Sequence, residues 1–203
     1  MKRTVLSTLA LLGFLLAPLA GKEAAGNTDA PVVCNDVLIN GGFESGSAGW
    51  TQSSAGGFDL ISQYYPRSGA WGAYLAGYDN ADDRLRQPLP LPAGTISATL
   101  RLWWSLETEE PALANDDLTV SLLSADGTTL AELWMVDNTA PAGQWAEAVI
   151  DLTGYAGQDV TLQLRATTNA YDLTDFYMDD LSVLVCIPAS LPQRSYLPLV
   201  VHS

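Results

Sequence analysis

Apolar and polar side chains alternate without interruption from Thr95 to Leu106: Ile96, Ala98, Leu100, Leu102, Trp104 and Leu106 share one face, and Ser97, Thr99, Arg101, Trp103 and Ser105 the other. A period of two marks a β-strand with one face buried. The same alternation returns at Leu118, Val120 and Leu122 against Thr119 and Ser121, and at Val160, Leu162 and Leu164 against Thr161, Gln163 and Arg165. Further strands are expected over 71–76, 129–136, 145–152 and 175–185. Turn residues separate them at Pro90 to Gly94, Asp126-Gly127, Pro141 to Gly143 and Gly154 to Gly157. No stretch carries a sustained apolar stripe of helical period. The pattern predicts an all-β antiparallel sandwich, two sheets and about eight or nine strands, with one face of each sheet making the core.

Composition narrows the chemistry. The chain has 203 residues, 9 Lys and Arg against 23 Asp and Glu, and a formal net charge of −14. Such a balance argues against a nucleic-acid partner and against an anionic membrane surface, and favours a neutral, cationic or apolar one. The single histidine is His202, and the only lysines are Lys2 and Lys22. Imidazole-dependent hydrolysis and Schiff-base chemistry therefore have no residue in the body of the chain. Only carboxylate chemistry remains, with Glu107, Glu109, Glu110, Glu132 and Glu147 as candidates, and the expected protein is not an enzyme.

Residues 1–20 pair Lys2 and Arg3 with an apolar run ending Ala-Pro-Leu-Ala, which reads as a secretory leader rather than a membrane span. Export places the protein in an extracellular, oxidising setting, where Cys34 and Cys186, the only two cysteines, are expected to pair. Two free buried thiols are the alternative. The bond sets the ends of the first and last strands side by side. Residues 21–33 then form a flexible lead-in, 34–186 the domain, and 187–203 a Pro-rich tail too short to span a membrane.

Leu38 to Glu44 (Leu-Ile-Asn-Gly-Gly-Phe-Glu) followed by Gly49-Trp50, and Phe176 to Val183 (Phe-Tyr-Met-Asp-Asp-Leu-Ser-Val), resemble the first and last motifs of galactose-binding-like jelly-roll domains of bacterial carbohydrate-binding modules. The segments Arg67 to Trp71, Gly77 to Asp83 and Leu91 to Gly94 resemble the related jelly rolls appended to secreted bacterial peptidases. Measured from the cysteines, Glu44 and Asp179 stand at similar heights on antiparallel neighbours, so their carboxylates are able to converge. Converging carboxylates in a chain poor in cations suit a hard divalent ion. The resemblance implies a structural calcium at these motif positions, with Glu44 and Asp179 as ligands and Asp180 as the neighbour able to substitute. Solvated or hydrogen-bonded turn carboxylates are the alternative. Asp82-Asp83 and Asp116-Asp117 read as plain surface turns.

Sugar binding pairs exposed aromatic faces with planar donors and acceptors. Trp103 and Arg101 on one strand, with Gln163 and Arg165 on another, form a shallow platform if the two strands share a sheet. Otherwise Trp103 is covered by a loop or stacked upon by an arginine. Trp50, Trp71, Tyr64, Tyr65 and Tyr78 mark a second candidate surface at the rim, with Trp50 and Trp71 equally readable as core anchors. The expected function is a non-catalytic, extracellular carbohydrate-binding or adhesion module whose partner is a glycan, or else a protein-interaction domain that takes a cell-surface protein. A small jelly-roll glycosidase is the remaining alternative.

Overall fold

The computed structural model describes residues 31–110 and 112–189. The expected leader at 1–20, the lead-in up to residue 30 and the tail from 190 onward lie outside the described residues. Eleven strands run in order: β1 (Val32–Asp36), β2 (Thr51–Ser54), β3 (Ile61–Ser62), β4 (Gly72–Ala76), β5 (Asp82–Pro90), β6 (Ser97–Thr108), β7 (Asp117–Leu123), β8 (Thr129–Asp137), β9 (Ala146–Asp151), β10 (Asp159–Thr167) and β11 (Thr174–Pro188). One sheet has the order β3-β4-β11-β6-β9, with β1 also paired to β11; the other has the order β2-β5-β10-β7-β8. All pairings are antiparallel. Among the described residues no helix is long and apolar enough to cross a membrane.

The alternation reported for 95–106 has the consequence it predicts. Ala98, Leu100, Leu102 and Leu106 of β6 are fully buried and meet Leu118, Val120 and Leu122 of β7 and Leu162 and Leu164 of β10 between the sheets. Each such leucine contributes about 1.5–3 kcal/mol by leaving water. Trp104 and Trp134 pack together at the border of this core, with ring centroids 5.4 Å apart.

Cys34 and Cys186 form a disulfide and face each other in the β1–β11 register, so the two ends of the domain lie together. The domain is slightly longer than the cysteine pair suggests: β1 starts at Val32 and β11 runs to Pro188.

The strand count exceeds the expected eight or nine because three strands carry weak patterns. β2 is the polar run Thr-Gln-Ser-Ser, and β3 has only two residues. β5 begins at Asp82-Asp83, which sequence reading takes for a surface turn, and it contains Pro88 and Pro90. It nevertheless pairs along its whole length with β10, while β2 covers only Asp83 to Arg86 on its other side. Both prolines therefore stand past the end of β2, where no neighbouring strand asks for their missing N–H. Asp83 is 1% exposed, accepting hydrogen bonds from Ala76 N at 2.8 Å and from the Tyr78 hydroxyl at 2.6 Å. Asp116 is likewise buried, its Oδ1 accepting from Asn169 N at 2.9 Å. Neither is a plain solvated turn carboxylate.

Candidate functional site

The Asn40–Glu44 turn packs against an irregularity in β11, where the β6 register slips between Asp179 and Ser182. Leu181 N donates to Gly41 O at 3.0 Å, and a Cβ on Gly41 would lie 1.9 Å from Leu181 O, so only glycine permits this approach. Phe43, fully buried against Trp50 at 5.4 Å, fixes the turn to the core. Glu44 is thereby aimed at the 67–71 loop: its Oε1 accepts from Ala70 N at 2.9 Å and Trp71 N at 3.0 Å. Asp179 reaches the same loop, with Oδ2 accepting from Arg67 N at 2.9 Å and Ser68 N at 3.0 Å, and Oδ1 accepting from Asp180 N at 2.7 Å.

The two carboxylates thus meet at one loop. Asp179 is fully buried and has no cation partner among the described residues; burial pushes its carboxyl pKa up, against the three backbone donors that hold it down. Asp180 is spent differently, on an ion pair with Arg67 and on the Ser68 hydroxyl at 2.7 Å. Among the described residues no three Asp, Glu, His or Cys side chains gather around a common point. A metal here would take carboxylate oxygens of Glu44 and Asp179, which the 67–71 loop meets with backbone N–H groups.

The four residues of the expected platform separate. Trp103 and Arg101 lie on β6 in the six-stranded sheet, whereas Gln163 and Arg165 lie on β10 in the five-stranded sheet. Alternation tells which face of a strand is polar; it is silent on which sheet the strand joins. On its own sheet Trp103 is covered, as the Arg67 guanidinium lies 3.7 Å from its ring centroid. Arg101 pairs with Glu147 at 2.8 Å. Beyond them the 62–66 loop and Trp145 lay aromatic rings over this face: Tyr65 stacks on Trp145 at 5.9 Å and meets Tyr177 at 4.8 Å, and Tyr74 packs on Tyr177 at 5.3 Å.

Gln163 and Arg165 have company that the sequence reading missed. The registers place Thr51, Arg86, Gln163 and Ser121 in one row across β2, β5, β10 and β7, and Ser53, Arg84, Arg165 and Thr119 in the next. Arg86 Nε donates to Gln163 Oε1 at 2.7 Å, and Gln163 Nε2 donates to Ser121 Oγ at 3.3 Å. Asp82 accepts from Arg165 Nε at 2.8 Å and Nη2 at 3.1 Å, and also pairs with Arg84. The hydrogen bond from Arg165 is the main reason the Asp82 carboxyl sits below its ordinary pKa. Arg84 and Arg165 keep 33% and 39% of their side chains exposed. Toward β8 the same face opens into a cleft of about 310 Å³ lined by Asp116, Asp117, Thr119, Glu132, Met135 and Asp137. The signal for Arg84 and Arg86 was their alternation with Leu85 and Gln87, in a short segment between the turns read at Asp82-Asp83 and at Pro90 to Gly94.

No protein-family model matches the sequence, and no curated protein sequence matches it. Solved structures do resemble the fold. A carbohydrate-binding module in complex with β-1,4-galactotriose is 17% identical, with a TM-score of 0.55 over 73% of this chain and 97% of the other. The K3 cleaved adhesin domain of Lys-gingipain from Porphyromonas gingivalis is 19% identical, with a TM-score of 0.51 over 73% and 99%. An arabinose-bound α-L-arabinofuranosidase is 13% identical, with a TM-score of 0.51 over 74% of this chain but only 26% of the enzyme. At such identities the shared property is architecture: like these domains, the chain is a jelly-roll sandwich of two antiparallel sheets.

Proposed function

We propose that the chain is a non-catalytic, extracellular carbohydrate-binding module that holds a structural calcium ion through Glu44 and Asp179. The observation that carries the sugar reading is the row Arg86–Gln163–Ser121, linked side chain to side chain across three adjacent strands of the five-stranded sheet. Gln163 and Ser121 are buried, at 6% and 4% exposure, and hold the half-buried Arg86 guanidinium in a fixed direction, so a ligand rich in oxygen acceptors meets donors already oriented. Arg84, Arg165 and Thr119 extend the row. The fold is one that a galactotriose-bound module also has. The disulfide suits an oxidising compartment, and two carboxylates without a cation partner among the described residues, Glu44 and Asp179, at one loop suit calcium.

Affinity gel electrophoresis against a panel of soluble neutral and acidic polysaccharides tests the reading. Retention by at least one polymer is expected, together with its loss in Gln163→Leu, which keeps the side-chain volume and removes both ends of the linkage. A Trp103→Ala variant, altered on the opposite sheet, should be retained like the wild type. A protein-interaction domain is the second reading, favoured by Tyr64, which is 60% exposed beside Tyr74 on the six-stranded sheet. Retention by no polymer, with capture of a protein partner abolished by Tyr64→Ser, would replace the first reading with the second.

A further inference from the structure

Basic side chains are scarce in this protein, and their distribution is uneven. The described residues contain five of them, Arg67, Arg84, Arg86, Arg101 and Arg165, and three lie in two neighbouring rows on the outer face of the five-stranded sheet. Four of the five are paired: Arg67 with Asp180, Arg101 with Glu147, and Arg84 and Arg165 together with the one carboxylate of Asp82. Arg86 has no carboxylate partner among the described residues. Its Nε is engaged by the Gln163 carbonyl, and Gln163 is in turn anchored on Ser121.

We infer that the ligand of this face is an acidic glycan, whose uronic-acid carboxylate docks on Arg86. The inference rests on the sugar-binding reading of the same face and names the ligand class. Its physical basis is orientation. With Nε spent on Gln163, the free edge of the guanidinium is the one formed by its two terminal nitrogens, which matches the two oxygens of a carboxylate in a bidentate pair. A neutral sugar offers no acceptor of comparable strength. The Arg84–Asp82–Arg165 group next to it carries two positive charges against one negative, so it adds attraction for an anion.

Acidic groups do face this surface, and their positions are compatible with the assignment. Asp82 is neutralised within its arginine pair, and Asp117 accepts from the Thr167 hydroxyl at 2.7 Å on the row of Asp82. Glu132 stands opposite Ser121 on β8, three strands away from Arg86. The side of Arg86 away from Asp82 is bounded instead by Thr51, Pro88 and Thr161, none of them charged. A net charge of −14 for the whole chain had pointed to a neutral, cationic or apolar partner. Around Arg86 itself the pattern runs opposite to that total, because charge acts over about a Debye length and the carboxylates of Glu132 and Asp137 stand on β8, three strands away.

The test uses the whole chain and paired probes: oligomers of galacturonate, glucuronate and alginate, each beside the same oligomer with its carboxyl groups reduced to alcohols, titrated calorimetrically at low and moderate salt. At least one uronate is expected to bind tenfold or more better than its reduced partner, with the advantage shrinking as salt rises. Arg86→Gln should erase the advantage without changing the melting temperature appreciably, and Arg86→Lys, which keeps the charge but loses the fork, should retain only part of it. Equal or better binding of the reduced oligomers, or a uronate preference that survives Arg86→Gln, overturns the inference and leaves the sugar-binding reading in place. Binding of sulfated neutral oligomers in preference to every uronate overturns the carboxylate assignment. Absence of binding to any oligomer, charged or reduced, overturns both.

Discussion

Asp179 receives three backbone N–H groups and is sealed from water, yet among the described residues no positive side chain reaches it, since Arg67, the nearest on its loop, turns to Asp180. A buried carboxylate in that position is stabilised only partly by neutral donors. The proposed calcium would complete its compensation through Glu44 on the other side of the loop. The expected outcome is a melting temperature that falls on adding a chelator and recovers with excess calcium. An ion present at a hundredfold its dissociation constant stabilises the folded state by about 2.7 kcal/mol. Glu44→Gln should make the melting curve insensitive to chelator, whereas Asp180→Asn, which alters only the contacts with Arg67 and the Ser68 hydroxyl, should leave that sensitivity intact. Differential scanning calorimetry in matched buffers distinguishes these outcomes; a wild type indifferent to chelator removes the ion from the account.

At the scale of elements, the close approach of the Asn40–Glu44 turn to β11 decides whether Glu44 and Asp179 meet at all. Gly41→Ala puts a methyl group 1.9 Å from the Leu181 carbonyl and should cost at least ~2 kcal/mol, because the clash is with backbone that cannot rotate away. Gly154→Ala, in the short Thr153–Tyr155 turn where a new Cβ meets nothing within 4 Å, should be close to neutral. Urea denaturation of the two variants gives the comparison. Strands such as β6 were legible in the sequence because burial on one face leaves a period of two in the residue types. β5 was not, since its inward Asp83 and Gln87 are polar groups satisfied by specific partners, and its outward prolines imitate a turn. The pairing of distant strands was legible only where a covalent bond marked it, at Cys34 and Cys186. Gln163 was read as outward and is buried beneath its neighbours at 6% exposure, and its assignment to one platform with Trp103 required knowledge of sheet order, which side-chain alternation does not carry. Glu44 and Asp179 both accept hydrogen bonds from the 67–71 loop, a shared partner that their distances from the two cysteines do not reveal.

For the whole molecule, the sulfur bridge joins residues separated by 152 positions and lies in the register where β1 enters and β11 leaves. By the loop-closure argument a constraint of that length contributes about 4–5 kcal/mol through the unfolded chain. It also decides how the domain responds to being stretched. Tension applied to the two ends of β1 and β11 passes from Val33 to Cys34, across the sulfurs and out through Ile187, so the sandwich itself is left slack. In an optical trap the oxidised protein should show no unfolding step at forces that leave the covalent bond whole. After reduction, a single rip of roughly 500 Å should appear, the contour length of the 152-residue separation. A module anchored at both ends would thus keep its exposed face in shape under load, and an adhesive surface in flowing liquid would hold its grip for as long as the sulfurs stay joined.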